Sequence, residues 1–358
     1  MRAIVRRELK NFLKNPLFWL GFIIVTVGVY QDTSPWLGLH YFRSDQEIAA
    51  LPEVEVISDG DILGGYIPVE PEERRKLWEQ EIKEALEQEF QMTEKEAESV
   101  IETMSSMEIE DACSYLEEHY GYYGAIYLYE DLIYRRGTAE EANGYIRKML
   151  EKHPYSWYFA RKFTDFSGLY LGFFAVVLLA FLFWQDTRRS NYELLHTKAV
   201  RPWQYVAGKV LGGFLILCLM LLVLNLVFTV LCGITAVREG FRWNPLDLLI
   251  TSCGCILPNM LMTASVYAAA SLLFRNPLPA VPLLFVYLLY SNMGSWNEEG
   301  QFGFYGRPLA IMVRFPGSFF ETELPDIVRW NQLFLLAASL LLMYAAAKLW
   351  KKRRMYGT

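Results

Sequence analysis

Residues 185–209 read QDTRRSNYELLHTKAVRPWQYVAGK, a polar stretch between two long apolar ones. The eighteen residues before it (167–184) and the twenty-eight after it (210–237) contain no Asp, Glu, Lys or Arg. A helix rises about 1.5 Å per residue and a hydrocarbon layer is about 30 Å thick, so each flank is long enough, or nearly so, to cross one. The polar stretch therefore reads as a loop between two spans. Its five basic residues, Arg188, Arg189, Lys198, Arg201 and Lys209, outnumber Asp186 and Glu193. Short loops with such an excess of Lys and Arg stay cytoplasmic.

The rest of the chain supports this setting. Of its 358 residues 53% are apolar and 15% aromatic, and the mean hydropathy is +0.16, which points to a membrane protein. The net charge of -6 conceals two opposite parts: residues 31–167 hold 30 Asp/Glu against 13 Lys/Arg, and the remainder holds 10 against 21. An acidic part outside and basic loops inside give that separation. Because the bases are spread over short loops flanking spans, the chain has no nucleic-acid-binding face.

Residues 1–15 form a basic amphipathic helix. At 100° per residue Val5, Leu9, Phe12 and Leu13 share one face and Arg2, Arg6, Arg7, Lys10 and Lys14 gather on the other, the pattern of a helix lying among lipid headgroups. Pro16 interrupts it. Residues 17–30 (LFWLGFIIVTVGVY) would span only about 21 Å, short enough to suggest a secretory signal core. No small-x-small cleavage pattern follows, so they read as a first span that stays attached, with Met1 inside.

Residues 31–166 have the composition of a water-facing domain. Thr93 with Glu96, Ser105 with Glu108, and Thr138 with Glu141 each fit a capping box, and Trp78, Ile82, Leu86 and Phe90 recur at four-residue spacing as one buried stripe. Val54, Val56, Ile57, Gly64 and Gly65 suggest a short hairpin over 51–71. The tyrosine-rich run 120–134 reads as packing where a small domain meets a membrane surface, with a ligand site as the other reading. Acids such as Glu117, Glu118, Glu130 and Asp131 read as solvated helix charges, with a cation or cationic peptide as the alternative.

After the central loop, residues 210–237 run outward with Asn225 as the one strongly polar interior residue. Residues 248–274 return, and Pro258, Asn259 and Thr263 make their interior polar or helix-breaking at membrane depth. With Asn225 these are the candidate transport-path residues; hydrogen-bonding between helices is the competing reading. Residues 278–293 go out again, 294–329 stay outside with a surface or re-entrant helix expected over 308–313, and 330–349 return. Lys348, Lys351, Lys352, Arg353 and Arg354 hold the end inside. The expected fold is thus an all-α polytopic membrane protein. It has an interfacial helix and span 1 (1–30), a mainly helical extracytoplasmic domain (31–166), and spans 2 to 6 (167–358). Both termini are cytoplasmic in the cell membrane.

Catalytic signatures are missing. The Gly-Lys pair at 208–209 has Trp203 and Val210 where a phosphate-binding loop requires Gly and a hydroxyl, so nucleotide hydrolysis is not expected in this chain. The four histidines give no His-Glu-x-x-His, and there is no Gly-x-Ser-x-Gly. Cys253-Gly-Cys255 lacks the spacing and histidine partners of a zinc site, and no metal ligands are assigned.

A basic interfacial helix, a first span, an external insert, a second span, then a loop reading Glu193-Leu194-Leu195-His196-Thr197 and closing with Gly208-Lys209 before a long third span resembles the permease subunit of a type-2 ATP-binding-cassette exporter. In that family the loop carries an acidic residue and leucines, then a proline with a basic residue shortly after, then Gly-Lys. It forms a coupling helix that docks on a cognate ATPase. This chain departs in having Ala199 where the proline is usual and Pro202 after Arg201. The resemblance covers about 220 residues outside the insert. It implies a cytoplasmic ATPase partner that carries ATP and Mg, a second permease as homodimer or heterodimer, and a bacterial source. It also implies coupling roles for Arg188, Arg189, Glu193, Leu194, Leu195, His196, Thr197 and Arg201, with Leu194 and Leu195 seated in a groove and charges at its rim. The expected function is ATP-driven export of an amphipathic, peptide or lipid-like solute. A membrane sensor or mechanical transmitter whose external domain binds a partner is the alternative.

Overall fold

The computed structural model describes residues 1–54, 60–180, 182, 200–274, 276, 278–296, 302–303, 306–322 and 324–356. The chain is mostly helical and divides into two compact units, one of residues 1–39 with 153–358 and one of residues 40–152.

In the larger unit α1 (Arg2–Leu13) and α2 (Pro16–Thr33) are separated as Pro16 dictates. Pro16 sits at the first helical position of α2, and the Asn15 side chain caps that helix by accepting a hydrogen bond from the Leu17 amide at 3.1 Å. The helix α9 (Tyr155–Leu179) begins a dozen residues before the apolar window does, and its first turns hold Arg161, Lys162 and Asp165. Beyond the central loop come α10 (Pro202–Glu239), α11 (Asp247–Phe274), α12 (Ala280–Asn292) and α13 (Asp326–Tyr356).

Among the described residues five helices are long and apolar enough to cross a membrane: the α2 segment Pro16–Gly38, α9, α10, α11 and the α13 segment Asp326–Arg353. The segment read as a fifth outward span, 278–293, is shorter than expected. It forms the 13-residue α12, about 20 Å long.

α11 is the centre of this unit and packs on α9, α10 and α13. Ser156 Oγ lies 2.5 Å from Asp247 Oδ2 at one end of the α9–α11 pair, and Tyr267 donates to the Val176 carbonyl near the other, so the two helices run in the same direction. α13 joins them in that direction, with Ser339 against Met262 and Arg353 bonded to the Leu273 carbonyl. α2 and α10 run the opposite way. The α2–α9 contact depends on two glycines seven residues apart: a Cβ on Gly21 would stand 1.8 Å from the Phe174 ring, and one on Gly28 2.5 Å from Tyr170. Aromatic rings occupy the space that side chains would fill.

Residues 306–322 carry no helix, contrary to the expectation over 308–313. Positive φ at Gly306 (82°), Leu309 (61°) and Gly317 (91°) breaks any helical run, and Pro316 removes another amide. The segment is nevertheless buried: Ala310, Ile311, Met312 and Val313 are 3–5% exposed. Its backbone is satisfied by side chains, with Ile311 N donating to Ser291 Oγ (3.0 Å) and Asn331 to the Ala310 carbonyl (2.8 Å).

The smaller unit holds α3 (Asp45–Ala49), α4 (Pro71–Gln88), α5 (Glu94–Met104), α6 (Ile109–Tyr120), α7 (Ala125–Asp131) and α8 (Ala139–Lys152). Trp78, Ile82 and Leu86 of α4 are fully buried, Phe90 packs on the same core, and the Trp78 indole donates to the Ala125 carbonyl at 2.8 Å. Two of the three expected capping boxes form. Thr93 and Glu96 bond reciprocally, as do Thr138 and Glu141. The Ser105–Glu108 box does not: Ser105 ends α5, bonding back to the Glu102 carbonyl, and α6 starts one residue after Glu108. Of the hairpin expected over 51–71, one strand is described, and its partner lies elsewhere. β1 (Tyr66–Pro68) pairs antiparallel with β2 (Tyr134–Arg136), joining the two ends of the unit's helical middle; residues 55–59 lie outside those described.

Candidate functional site

The first three turns of α10 form the best-defined polar junction in the larger unit. Pro202 starts the helix, and Gly208, Lys209, Gly212 and Gly213 follow at spacings that set them on two adjoining faces. Gly208 and Gly212 admit α1: an added Cβ would stand 3.0 Å from Ile4 Cβ and 2.6 Å from Glu8 Cβ. Gly213 admits α9, since a Cβ there would meet Leu179 at 2.7 Å. Between these contacts Lys209 Nζ lies 2.9 Å from Glu8 Oε1 and donates to the Leu182 carbonyl at 2.9 Å. The side chains of Lys209 and Glu8 are only 5% and 6% exposed.

One ammonium therefore fastens three pieces of chain. Leu182 and Lys209 lie at the two ends of the polar loop, and Glu8 belongs to the amino-terminal helix. A fourth piece joins one turn earlier, where Tyr205 stacks on Trp350 of α13 with ring centroids 4.2 Å apart. Desolvating two charges costs several kcal/mol each and largely cancels their attraction. The value of such a pair is in placement: α1 can slide or rotate on α10 only by breaking this buried contact.

Glu8 is the residue that the helical-wheel reading left out. It is the one acid among residues 1–15 and stands on the apolar side with Val5, Leu9 and Phe12, a misplaced charge that signals a buried partner. Leu13, assigned to that face, is 38% exposed instead. Arg2, Arg6, Arg7, Lys10 and Lys14 are exposed, as the amphipathic pattern requires.

Of the expected coupling residues, Arg201 is described, exposed, as the residue preceding α10. Arg188, Arg189, Glu193, Leu194, Leu195, His196 and Thr197 lie outside the described residues.

The transport-path candidates are all buried, on two helices. Asn225 of α10 meets Ser252 of α11 across the helix interface at 3.0–3.1 Å. Asn259 donates to the Cys255 carbonyl in its own helix (2.7 Å), and Thr263 to the Asn259 carbonyl (2.9 Å). Pro258, inside α11, withholds the amide that would have reached Gly254. Asn259 lies seven residues, about 10 Å, along α11 from the Asn225–Ser252 contact, so the candidates do not form one cluster. Asn259 Oδ1, Thr164 Oγ1 and Ser167 Oγ of α9, and both polar atoms of Gln332 of α13 are buried without hydrogen-bond partners among the described residues.

A second buried charge group, unsuspected from the sequence, ties α9 to the irregular segment 306–322. Arg314 pairs with Asp165 and bonds Asn292, Lys162 Nζ is 3.4 Å from the Phe315 carbonyl, and Arg161 bonds the Thr322 carbonyl. Nothing local to Arg161, Lys162 or Asp165 announces this, because their partners lie about 150 residues away in sequence.

These features give a mostly helical chain of two compact units, whose described residues include five helices long and apolar enough to suit a multi-pass membrane protein. Comparison with protein-family models, characterised proteins and solved structures finds no match to this chain.

Proposed function

We propose that the chain is the permease subunit of an ATP-driven exporter, moving an amphipathic, peptide or lipid-like solute with energy from a separate ATP-binding-cassette ATPase. The observation that carries this reading is the Lys209 junction. An ATPase pressing on residues 185–209 would displace both ends of the loop together, because Lys209 binds the Leu182 carbonyl, and would move α1 through Glu8. In this reading α12 completes six spans, both termini face the cytoplasm, the unit 40–152 faces outward, and a second permease supplies the other half of the pathway. The unpartnered polar atoms of α9, α11 and α13 support the same reading. Each costs about 1–3 kcal/mol in a dry interior, which a conformation admitting water would relieve.

The test is co-purification. Leu194→Glu with Leu195→Glu is expected to release the ATPase from the detergent-solubilised complex, and undiminished recovery of the ATPase would sink the coupling role. The sensor alternative draws support from the size and compactness of the unit 40–152. Reconstituted vesicles separate the two: nucleotide-dependent solute movement belongs to the permease, whereas nucleotide-dependent control of an external partner alone belongs to the sensor.

A further inference from the structure

The smaller unit contains a groove of about 420 Å³ between α5 and α6, within the range of small-ligand sites. Glu96, Ser99 and Thr103 line it from one face of α5, Tyr115 and Tyr120 from α6, and Gln91 closes one end. Gln91 has φ 57°, a left-handed backbone that turns the chain sharply from α4 toward α5. Met92 and Val100 contribute apolar lining and also pack on the unit's core.

Glu96 is the one charged residue among those lining the groove, and both helices around it are acidic. α5 carries four carboxylates against Lys95, and α6 carries four with no Lys or Arg. Two bases of α4 reach these helices: Lys83 engages Glu98 and Glu94, and Arg75 bonds the Met104 carbonyl at the end of α5; neither lines the groove. Glu96 is held by the Thr93 amide and hydroxyl at 2.9 and 2.8 Å, which favours its ionised form and fixes a negative charge in the groove. Asp111 and Glu118 stand on the Tyr115 face of α6, four and three residues away. The tyrosine rings, 5.9 Å apart and edge to face, add surfaces that favour organic cations by about 0.5–1 kcal/mol each where exposed.

The size and chemistry of the groove narrow the class further. Among the described residues no three His, Cys, Asp or Glu side chains gather as metal ligands. Hydroxyls, aromatic rings and one fixed carboxylate suit an ammonium or guanidinium on an apolar body. Glu96 to Thr103 is seven residues of helix, about 10 Å, which matches three residues of extended chain.

We propose that this groove binds a short cationic peptide segment, seating Lys or Arg side chains against Glu96 and the tyrosines. The proposal does not depend on an ATPase partner, because binding is measured without nucleotide. The full-length protein in zwitterionic-lipid nanodiscs is titrated with a fluorescein-labelled Arg-Trp-Arg-Trp-Arg peptide, with empty nanodiscs subtracted and the Glu-Trp-Glu-Trp-Glu peptide as comparison.

Saturable binding of the arginine peptide alone is expected. Thr103→Arg should weaken it at least tenfold, and Glu96→Gln, which preserves the capping box, several-fold. Ser99→Trp, which fills the groove without changing charge, should also weaken it; circular dichroism and thermal melting establish that each variant is folded. Equal binding of the two peptides, no saturable binding, or wild-type affinity in the folded variants would overturn the proposal. The last of these would reduce the attraction to diffuse surface charge.

Discussion

Lys209 and Lys83 each hold a carboxylate oxygen at 2.9 Å, yet the two ion pairs do different things. The Lys209–Glu8 pair is 5% and 6% exposed and packed between helices, whereas the Lys83–Glu98 pair is 29% and 59% exposed on the surface of the smaller unit. Geometry alone does not rank them. In the larger unit charges are buried few and paired, and they fix which helix meets which. In the smaller unit, with 28 Asp/Glu against 11 Lys/Arg, charges are numerous and wet, and they set the field around an apolar core.

Substitutions can break this contrast. The largest effect is expected from Lys209→Met, which removes the ammonium 2.9 Å from the buried Glu8 carboxylate. The general cost of removing one partner of a buried pair is about 3–5 kcal/mol. A lowered thermal midpoint and new protease sensitivity at the amino terminus would report it. Glu8→Leu combined with Lys209→Met should recover most of the midpoint, while under the proposed exporter function nucleotide-driven solute movement should stay impaired. Next, Asn225→Leu removes the hydrogen bond to Ser252, an interaction worth about 0.6–1.7 kcal/mol between membrane helices, and should lower the midpoint by a smaller step.

Smaller still is the effect of Glu141→Gln. Arg135 and the Thr138 amide hold the Glu141 carboxyl down at about 2, from an ordinary 4.5. A depressed carboxyl stabilises the fold above the unfolded value and loses that contribution as pH falls from about 4.5 toward 2. Melting of the smaller unit in the wild type should therefore steepen in acid over that window, and the glutamine variant should show less of this dependence. Lys83→Met is expected to leave the midpoint unchanged within error. A change as large as that of Lys209→Met would erase the distinction between the two units.

Much of the smaller unit was legible in its residues. Period-four spacing found Trp78, Ile82 and Leu86, and hydroxyl–carboxylate spacing found two helix starts. Ser105 misled because the same hydroxyl can end one helix as well as begin the next, and bonding to Glu102 won. Beyond local patterns the reading weakened. β1 pairs across nearly seventy residues, which no hairpin signal reveals. The buried segment 306–322 looked like a short apolar helix because composition does not disclose left-handed backbone at Leu309 or the distant Asp165 waiting for Arg314. For the candidate site, Gly208-Lys209 was visible as a pair and acquires a physical role here. Small residues admit α1 and Leu179, and the ammonium is the tie among them.

The 38 residues of α10 have a further implication. At about 57 Å it is nearly twice the depth of a bilayer core, and after Pro202 it contains no proline at which to bend. Its Gly212-Gly213 pair, the other place where such a helix bends, is packed against α1 and α9, which favours tilting as a whole. A nudge at Tyr205 would swing its far tip, where Thr235 grips the Leu37 carbonyl and Gly233 lies under the Trp243 ring, so the two sides of a membrane would be mechanically one piece.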